Sequence, residues 1–372
     1  MKICMIGQKT VPGSDGGIER VVEELSTRMV EDGHEVTLFN RKRKKTQFVS
    51  EYKGVKIKEI FTINRKSFDA IIYSYFATKK AIKEAKKGKY DVIHFHAEGP
   101  CNYLYKFGKL NSKKRKKMPK IVVTIHGLDW QRNKWGRIAT SVILRGEKQA
   151  VKYADEIIVL SKNNHRYFKD KYNRDTTFIP NGVVKATLHE PEIIKERWNL
   201  DKNNYILFLA RLVPEKGAHY LIEAWKRVKQ QIQTDKKLVI AGGVSHSKEY
   251  YNQIQEMVKN DDSIIMTDFV SGQTLQELFS NAYLYVLPSD IEGMPMSLLE
   301  ALSYGNCCLV SDIPENKEVI NGDCFVFEQG NVDRLRHQIK KIINLNIQSH
   351  ENMIQVYTWD DVVNKTLAIY NK

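Results

Sequence analysis

The sequence has few cysteines and no long apolar run. Its 372 residues include five cysteines, an odd number with no C-x-x-C pair, which argues against both a disulfide framework and a zinc site. A transmembrane helix needs about 20 consecutive apolar residues, and the sequence has no such stretch. The first residues, MKICMIGQ, also lack the layout of a signal peptide. These absences favour a cytoplasmic protein.

Acidic residues are scarce in the first half of the chain. Residues 1–180 hold 39 Lys and Arg against 19 Asp and Glu, whereas the remaining 192 residues hold 20 against 25. The cations cluster in runs at 41–45, 79–89 and 113–117. Such runs are solvated surface in one interpretation. In the other they contact the anionic inner face of the cytoplasmic membrane, where each nearby cation adds about 1 kcal/mol of attraction. No nucleic-acid recognition module accompanies them, so we do not expect nucleic acid as a partner.

Strand and helix patterns alternate along the chain in two series. In the first, the apolar segment Lys2 to Gly7 is followed by helical spacing from Ile18 and then by the strand-like EVTLFN. The second series begins near residue 204 with the apolar segment YILFLA. A chain of this length is too long for one ordinary core. We therefore predict an α/β fold made of two doubly wound, Rossmann-like domains.

The stretch LPSDIEGMPMSLLEALSYG, from Leu287 to Gly305, combines a strand end, an acidic loop and a helix start. Pro295 suits a first helical position because its missing N–H would have no partner there, and the amides that follow favour an anion. Glu292 precedes this helix, and Glu300 lies on its second turn. The pattern suits a ligand with hydroxyl groups at both ends and phosphate in the middle.

Cationic and histidine side chains follow other predicted strands. Arg211 and Lys216 lie on the loop after the first strand of the second series, and both suit a diphosphate, Arg through two donors and Lys as a point charge. His126 stands at the carboxyl end of an apolar strand, where ligands bind in open α/β sheets, although a lone His is often structural. His94 and His96 share one face of their strand without a third ligand nearby, so we predict no metal site.

The spacing of Glu292 and Glu300 resembles the E-x7-E signature of the retaining glycosyltransferases of family 4, which have the GT-B fold. In that family the first Glu contacts the donor sugar, the second binds the ribose of the nucleotide, and the helix N-terminus receives the diphosphate. An aromatic residue and a Gly are frequent in the family where Met294 and Pro295 stand here. The resemblance also implies donor binding by Met294, Ser297 and Leu298.

Other motifs extend the resemblance over nearly the whole chain. Arg211 and Lys216 match the R-x4-K pair that binds the donor diphosphate, and His126 matches a His that contacts the donor sugar near the reacting carbon in many relatives. The strand ends at AGG and FVSG fall where relatives hold the base, which implies roles for Gly243 and Phe269.

The loop QKTVPGSDGG falls where the family's loop touches the donor phosphates and lines the acceptor cleft. Its glycines lack the G-x-G-x-x-G spacing of a dinucleotide site. The resemblance makes Gly16 and Gly17 candidates for donor binding. In the alternative interpretation they only form the turn before a helix.

The segment DWQRNKW resembles part of bacterial transferases that build capsular and other surface polysaccharides, some with deoxyhexose donors. This resemblance assigns acceptor binding to the first domain. Trp130 and Trp135 have an alternative interpretation, in which they only pack a helix. The acceptor candidates are Asp129, Trp130, Arg132 and His96.

The motif Pro180-Asn181-Gly182-Val183 marks the passage into the second domain in the resembled family. We therefore expect an acceptor-binding domain at 1–184 and a nucleotide-sugar-binding domain at 185–356. A terminal helix at 357–372 is expected to cross back onto the first domain. The resemblance also implies that the two domains face each other across a cleft.

These resemblances imply a retaining hexosyltransferase that moves a hexose or deoxyhexose from a nucleotide-diphosphate sugar to a glycan or lipid-linked acceptor in cell-surface polysaccharide biosynthesis. No metal or other cofactor is expected, because Arg211, Lys216 and the helix amides supply positive charge where the diphosphate leaves. Two other classes stay open. A nucleotide-sugar epimerase or hydrolase of the same fold would turn over its donor without an acceptor, and a non-catalytic polyanion-binding protein would show salt-sensitive binding.

Overall fold

The structure is a computed structural model of the chain. It describes residues 1–13, 16–42, 48–63, 65, 68–108, 117–131, 135–244, 247–320, 324–345 and 357–372. Arg132 and most of the basic runs at 41–45 and 113–117 lie outside these ranges. The chain forms two compact units: unit 1 comprises Met1–Gly182 and Tyr357–Lys372, and unit 2 comprises Val183–Val356. Within the described ranges, no helix has both the length and the apolar character needed to span a membrane.

Unit 1 is built on an eight-stranded sheet. Its strands are β1 Lys2–Ile6, β2 Glu35–Arg41, β3 Glu51–Tyr52, β4 Val55–Ile60, β5 Val92–His96, β6 Lys120–Ile125, β7 Glu156–Val159 and β8 Thr177–Phe178. They are arranged in the order β3-β4-β2-β1-β5-β6-β7-β8, and all neighbours are parallel except β3 and β4. The central strands are almost continuously apolar and buried, as expected for a parallel sheet with covered faces.

The helices of unit 1 place their apolar stripes on this sheet. In the first helix, Val21, Val22, Leu25 and Met29 recur at helical spacing and are buried, which produces one core-facing side. The helices before residue 183 are α1 Gly17–Glu31, α2 Asp69–Ala85, α3 Tyr105–Gly108, α4 Arg137–Tyr153 and α5 Lys162–Tyr172. Two 3₁₀ helices, Gly99–Tyr103 and Asp129–Gln131, follow β5 and β6.

Unit 2 is built on a six-stranded parallel sheet. Its strands are β9 Tyr205–Leu209, β10 Lys237–Ala241, β11 Ile264–Asp268, β12 Leu284–Leu287, β13 Cys308–Ser311 and β14 Phe325–Phe327. They are arranged in the order β11-β10-β9-β12-β13-β14. Its helices are α6 Ile193–Trp198, α7 Ala218–Gln231, α8 Lys248–Val258, α9 Gly272–Asn281, α10 Met296–Ser303, α11 Pro314–Ile320 and α12 Val332–Leu345. The predicted pair of doubly wound α/β domains is confirmed.

The terminal helix α13, Trp359–Asn371, packs on unit 1. Thr358 and Asp361 form a capping box at its start, which satisfies amides that have no intrahelical acceptor. Trp359 is buried, Arg28 binds Asp360 at 2.8 Å, and the Lys120 ammonium donates to the Ile369 carbonyl at 2.7 Å. Charged and apolar contacts thus hold this helix to the first part of the chain.

One close backbone approach in unit 1 joins α4 to the segment after β5. A Cβ atom on Gly146 would lie 2.0 Å from the Glu98 carbonyl oxygen. The Asn102 side chain donates to the Val142 carbonyl at 2.9 Å and holds the same two elements together. Only a residue without a side chain fits at position 146.

We expect Gly146→Ala to destabilise the protein by about 1–3 kcal/mol, as overpacking does, although Ala normally gains about 1 kcal/mol over Gly inside a helix. Chemical denaturation measures the change. Gly136→Ala is the matched control, because an added Cβ at Gly136 meets nothing within 4 Å. A Gly146→Ala protein as stable as the wild type would contradict this account of the packing.

Candidate active site

Two loops of unit 2 meet where its strand order changes direction. The chain adds β10 and β11 on one side of β9, and β12 to β14 on the other. In open α/β sheets, ligands bind outside the carboxyl ends of the strands at such a switch point. Arg211 and Lys216 follow β9, and Glu292 follows β12, so these side chains share one edge of the sheet.

A glycine brings the two loops together. Gly217 has a φ of +72°, and a Cβ atom on it would lie 2.1 Å from the Pro288 carbonyl oxygen. The amide of Asp290 donates to the Glu215 carbonyl at 2.9 Å. Position 217 therefore requires glycine both for its left-handed backbone and for the space.

Lys216 and Glu292 form an ion pair between these loops. The Lys216 ammonium lies 2.5 and 2.6 Å from the two Glu292 carboxylate oxygens. Their side chains are only 15% and 5% exposed, so water screens their attraction less than it screens a surface pair. The Ser289 hydroxyl donates to the same carboxylate at 2.7 Å. The carboxylate is thus held from two sides.

A chain of polar side chains behind Ser289 supports this carboxylate. The Ser311 hydroxyl donates to the Ser289 carbonyl at 2.5 Å, and the Asn316 amide donates to the Ser311 hydroxyl at 3.0 Å. All three residues are buried. Sequence reasoning missed them, because a Ser at a strand end or an Asn in the following helix carries no signal until the pairing of the strands is known.

Helix α10 begins at Met296, and Pro295 is its N-cap residue. The expectation that Pro295 is the first helical residue was wrong by one position, because its ψ of 95° is extended. The first hydrogen bond of this segment runs from the Leu299 amide to the Pro295 carbonyl. The amides of Met296, Ser297 and Leu298 therefore have no acceptor within the helix.

The side chains of this helix differ in their surroundings. The buried Tyr285 hydroxyl donates to the Ser297 hydroxyl at 2.8 Å, and burial raises the pKa of Tyr285 well above its ordinary value. Leu298 is fully buried in the core, whereas Met294 and Glu300 are half-buried. Leu298 thus contributes packing with its side chain, and only its backbone amide faces the helix N-terminus.

Two more predicted residues of unit 2 lie together. A Cβ atom on Gly243 would lie 3.0 Å from the Phe269 Cβ, and Phe269 is 60% exposed. An exposed aromatic ring beside a glycine offers a flat surface on which a base can stack. Arg211 is half-buried and forms no ion pair with another described residue.

Unit 1 has its own switch point, between β1 and β5. Gly7 follows β1 with a φ of +139°, and a Cβ atom there would lie 2.3 Å from the His96 carbonyl oxygen. Gly16 is the N-cap residue of α1 and Gly17 its first residue. The segment between Gly13 and Gly16 lies outside the described residues.

Three histidines lie in a row at the carboxyl ends of β5 and β6. The rings of His94 and His96 are 4.2 Å apart, which confirms that they share one face. His96 Nδ1 lies 3.1 Å from His126 Nε2. His94 contacts the Tyr370 hydroxyl and the Thr124 hydroxyl, each at 2.7 Å. No cluster in the described part of the chain has three His, Cys, Asp or Glu side chains placed to bind a metal.

Burial keeps His94 and His96 neutral. His94 and His96 are fully buried, and loss of hydration lowers the pKa of His94 to about 3 and moves the pKa of His96 well below its ordinary value. Burial also raises the pKa of Tyr370, so Tyr370 donates to His94 Nδ1. His94 Nε2 then carries the proton that Thr124 accepts.

The acceptor candidates Asp129 and Trp130 lie in the 3₁₀ helix after His126. The Asp129 amide donates to the Glu98 carboxylate at 3.1 Å. The Trp130 indole donates to Glu147 at 3.2 Å and packs against the core of unit 1. Both residues are half-buried, whereas Arg132 lies outside the described residues.

The fold and the two polar edges define a class, the two-domain α/β proteins of the GT-B type. The chain matches the model of glycosyltransferase family 4 over residues 15–186 and that of glycosyl transferases group 1 over residues 190–356. These models between them describe both halves of the chain. The protein therefore belongs to the glycosyltransferases of GT-B fold.

Relatives of this chain agree with that assignment. An uncharacterized glycosyltransferase of Methanocaldococcus jannaschii is 24% identical, with 100% of this chain and 98% of the relative aligned. The UDP-Gal:α-D-GlcNAc-diphosphoundecaprenol α-1,3-galactosyltransferase of Escherichia coli is 26% identical over 72% of this chain and 70% of its own length. Sucrose-phosphate synthase from Thermosynechococcus elongatus superposes with a TM-score of 0.79 at 17% identity, over 99% of this chain and 98% of that one, and this likeness shows the fold.

The buried histidines predict acid sensitivity. Below pH 6.5 the unfolded chain protonates His94, whereas the folded protein does so only near pH 3, so the free energy of unfolding falls as the pH drops between these values. The loss is about 1.4 kcal/mol per pH unit for one histidine. We expect His94→Gln to reduce this slope by about that amount. Denaturation from pH 7 to pH 4 measures it.

The exposed His337 supplies the control, since His337→Gln should leave the slope unchanged. Equal slopes for the wild type and His94→Gln would show that His94 is not held neutral in the folded protein.

Proposed function

We propose that the protein is a retaining glycosyltransferase that transfers a hexose or deoxyhexose from a nucleotide-diphosphate sugar to a glycan or lipid-linked acceptor in cell-surface polysaccharide biosynthesis. The observation that carries the donor proposal is the contact of Lys216 with Glu292 beside the N-terminus of α10. A cation, a carboxylate and the amides of the first helical turn lie at one edge of the sheet. Together they suit a ligand in which a phosphate is attached to a sugar. The galactosyltransferase relative, whose name includes UDP-Gal and a lipid diphosphate, supports the same assignment.

The diphosphate is proposed to bind the amides of α10 and the guanidinium of Arg211. A helix N-terminus attracts anions through its amides and dipole, and Arg can donate twice to phosphate oxygens. Ser297 accepts a hydrogen bond from Tyr285, so its own proton is available to a phosphate oxygen. Lys216 adds a further positive charge. These groups stabilise the leaving phosphate without a metal ion.

The carboxylates are proposed to bind the two ends of the donor. Glu292 accepts hydroxyl groups of the sugar while Ser289 holds one of its oxygens. Glu300, one turn into α10, accepts the ribose hydroxyls. Gly243 and Phe269 flank the base. Hydrogen bonds to both ends fix the sugar carbon relative to the phosphate.

The transfer step retains the configuration at the sugar carbon. The bond from this carbon to the phosphate oxygen breaks, and its electron pair remains on that oxygen. An acceptor hydroxyl forms the new bond on the face that the phosphate leaves. The same phosphate oxygen takes the acceptor's proton, so no separate nucleophile or base is needed. In unit 1, His126, Asp129 and Trp130, with His96 behind His126, are proposed to contact the acceptor.

Substitutions at the sheet edge of unit 2 test the donor site. We expect Glu292→Gln or Lys216→Ala to lower transfer about 100-fold or more, as loss of a transition-state contact does. Arg211→Ala should abolish the thermal stabilisation by a nucleoside diphosphate, which is about 2.7 kcal/mol at 100 times its dissociation constant. A screen of UDP, GDP, dTDP and ADP, alone and as sugar conjugates, identifies the base.

Glu249→Gln is the matched control, because Glu249 is exposed on α8 and should change neither quantity. Full transfer activity in Glu292→Gln would contradict the proposed site. Donor turnover that does not depend on an added acceptor would instead indicate an epimerase or a hydrolase.

The basic face of α2 is proposed to contact an anionic membrane. Phe76, Lys79, Lys83 and Lys87 are exposed and recur at intervals of three or four residues, so they lie on one side of the helix and the turn after it. Each lysine near an anionic surface adds about 1 kcal/mol. A membrane contact brings the enzyme to a lipid-linked acceptor.

We expect the triple change Lys79→Gln, Lys83→Gln and Lys87→Gln to weaken binding to phosphatidylglycerol vesicles by about two orders of magnitude. Sedimentation with vesicles at low salt measures this. The same change at three exposed lysines of unit 2, Lys229, Lys248 and Lys259, should leave binding unaffected. An equal loss of vesicle binding in both triple variants would show that α2 has no specific membrane-binding face.

A further inference from the structure

A cavity of about 580 Å³ lies along the exposed side of α4. Its described lining includes Arg137, Ser141, Arg145 and Lys148, which recur along one stripe of the helix. Trp135 lines it just before the helix begins. The described lining has three cations and no carboxylate. A cavity of this size is within the range of small-molecule sites.

Two carboxyl groups on or beside α4 do not neutralise this stripe. Glu147 is buried and accepts hydrogen bonds from Trp130, Tyr167 and Lys171, so its charge is already balanced. Glu98 lies against Gly146 under the helix, and burial raises the pKa of its carboxyl well above the ordinary value. Arg137, Arg145 and Lys148 form no ion pair within the described ranges. The cavity is therefore positively charged and open to an anion.

A series of aromatic contacts leads away from the cavity. It starts at the 3₁₀ helix Gly99–Tyr103, which is held against α4 where the Asn102 amide donates to the Val142 carbonyl at 2.9 Å. The Tyr103 ring is 5.4 Å from Tyr75, the Tyr75 ring 5.2 Å from Phe76, and the Phe76 ring 5.4 Å from Phe61. We call Tyr103, Tyr75, Phe76 and Phe61 the aromatic strip.

The aromatic strip is apolar at its far end and cationic near the cavity. Phe76 and Phe61 are 38% and 54% exposed. The Lys106 ammonium lies 4.0 Å from the Tyr75 ring centroid and 5.6 Å from that of Tyr103. Exposed rings in mutual contact indicate a surface that binds an apolar group. Charge at one end and apolar rings at the other match an amphiphile with an anionic head.

We propose that the α4 cavity binds the phosphate group of an amphiphilic phosphate ester and that the apolar chain of this ligand lies on the aromatic strip. Arg137 and Arg145 each present two donors to phosphate oxygens, and Lys148 adds a point charge. The inference rests on the proposed function, in which such an ester is the lipid-linked acceptor, and it names the side chains that hold this acceptor.

Binding of three probes to the full-length protein tests the inference by calorimetry. The probes are farnesyl phosphate below its micelle concentration, farnesol, and inorganic phosphate. The double change Arg145→Ala and Lys148→Ala should weaken binding of farnesyl phosphate about 100-fold, because each charged contact is worth about tenfold or more. Phe76→Ser should weaken it about tenfold while leaving inorganic phosphate unaffected.

The double change Lys152→Ala and Arg166→Ala is the matched control, since it removes two exposed cations of unit 1 outside the cavity lining. It should bind farnesyl phosphate like the wild type. Any binding of phosphate in unit 2 is the same in both double variants, so their difference reports on the cavity. Unchanged binding in Arg145→Ala with Lys148→Ala would overturn the inference. Inorganic phosphate binding as tightly as farnesyl phosphate would also overturn it.

The two proposals fail separately. Thermal stabilisation by a nucleoside diphosphate depends on Arg211 and should persist in the cavity variants, which also shows that they fold. If farnesyl phosphate binding requires Arg145 and Lys148 but no nucleotide binds, the cavity inference is supported and the donor proposal is contradicted. If a nucleotide binds and the affinity for farnesyl phosphate does not depend on these cations, only the cavity inference is contradicted.

Discussion

The close approach of Gly217 to the Pro288 carbonyl is the constraint on which the site of unit 2 depends. Parallel pairing of β9 with β12 brings two strand ends side by side, but it does not fix the loops that follow them. A side chain at position 217 would lie 2.1 Å from that oxygen and would push the loops apart. The contact between Lys216 and Glu292 would then be lost, and either charge left alone in this partly buried place would be costly. Backbone geometry at one glycine thereby determines the electrostatics of the pair.

The polar groups at the sheet edge of unit 1 are stabilised differently from those of unit 2. His94 and His96 are buried and neutral there, and His94 is satisfied by a tyrosine from the terminal helix and a threonine from β6. The glycine that makes room there is Gly7, which lies against the His96 carbonyl. Exposed cations lie instead on the outer sides of α2 and α4. The cations on these helices contribute to the charge excess of residues 1–180, whereas His94 and His96 add no charge to the sheet edge.

The sequence predicts the elements of this protein better than the contacts between them. Apolar runs and helical spacing indicate the strands and the long helices, and the pattern after Pro295 indicates the helix that carries Glu300. The pairing of Lys216 with Glu292 joins residues 76 positions apart and depends on the strand order of the sheet, which periodicity does not reveal. The contacts of Tyr285 with Ser297 and of His96 with His126 depend on it as well. Helix α6 has six residues, too few for a periodic signal. For Trp130, the sequence neighbours suggest a ligand contact, and they do not reveal that its indole donates a hydrogen bond to Glu147.

The balance of charge in unit 2 has a consequence for the proposed donor. Since Glu292 already balances most of the positive charge of Lys216, a bound diphosphate meets a net positive charge that comes chiefly from Arg211 and from the dipoles of the α10 amides and the Ser297 hydroxyl. Dipoles fixed by the backbone and by Tyr285 need no reorganisation when charge develops on the leaving phosphate. Lys216 can therefore lie between two anionic groups. The two carboxylate oxygens of Glu292 contact its ammonium on one side, and oxygens of the phosphate would contact it on the other. In this arrangement a single lysine would tie the position of the proposed sugar-binding carboxylate to that of the leaving group, and the proposed retaining transfer needs both to be fixed.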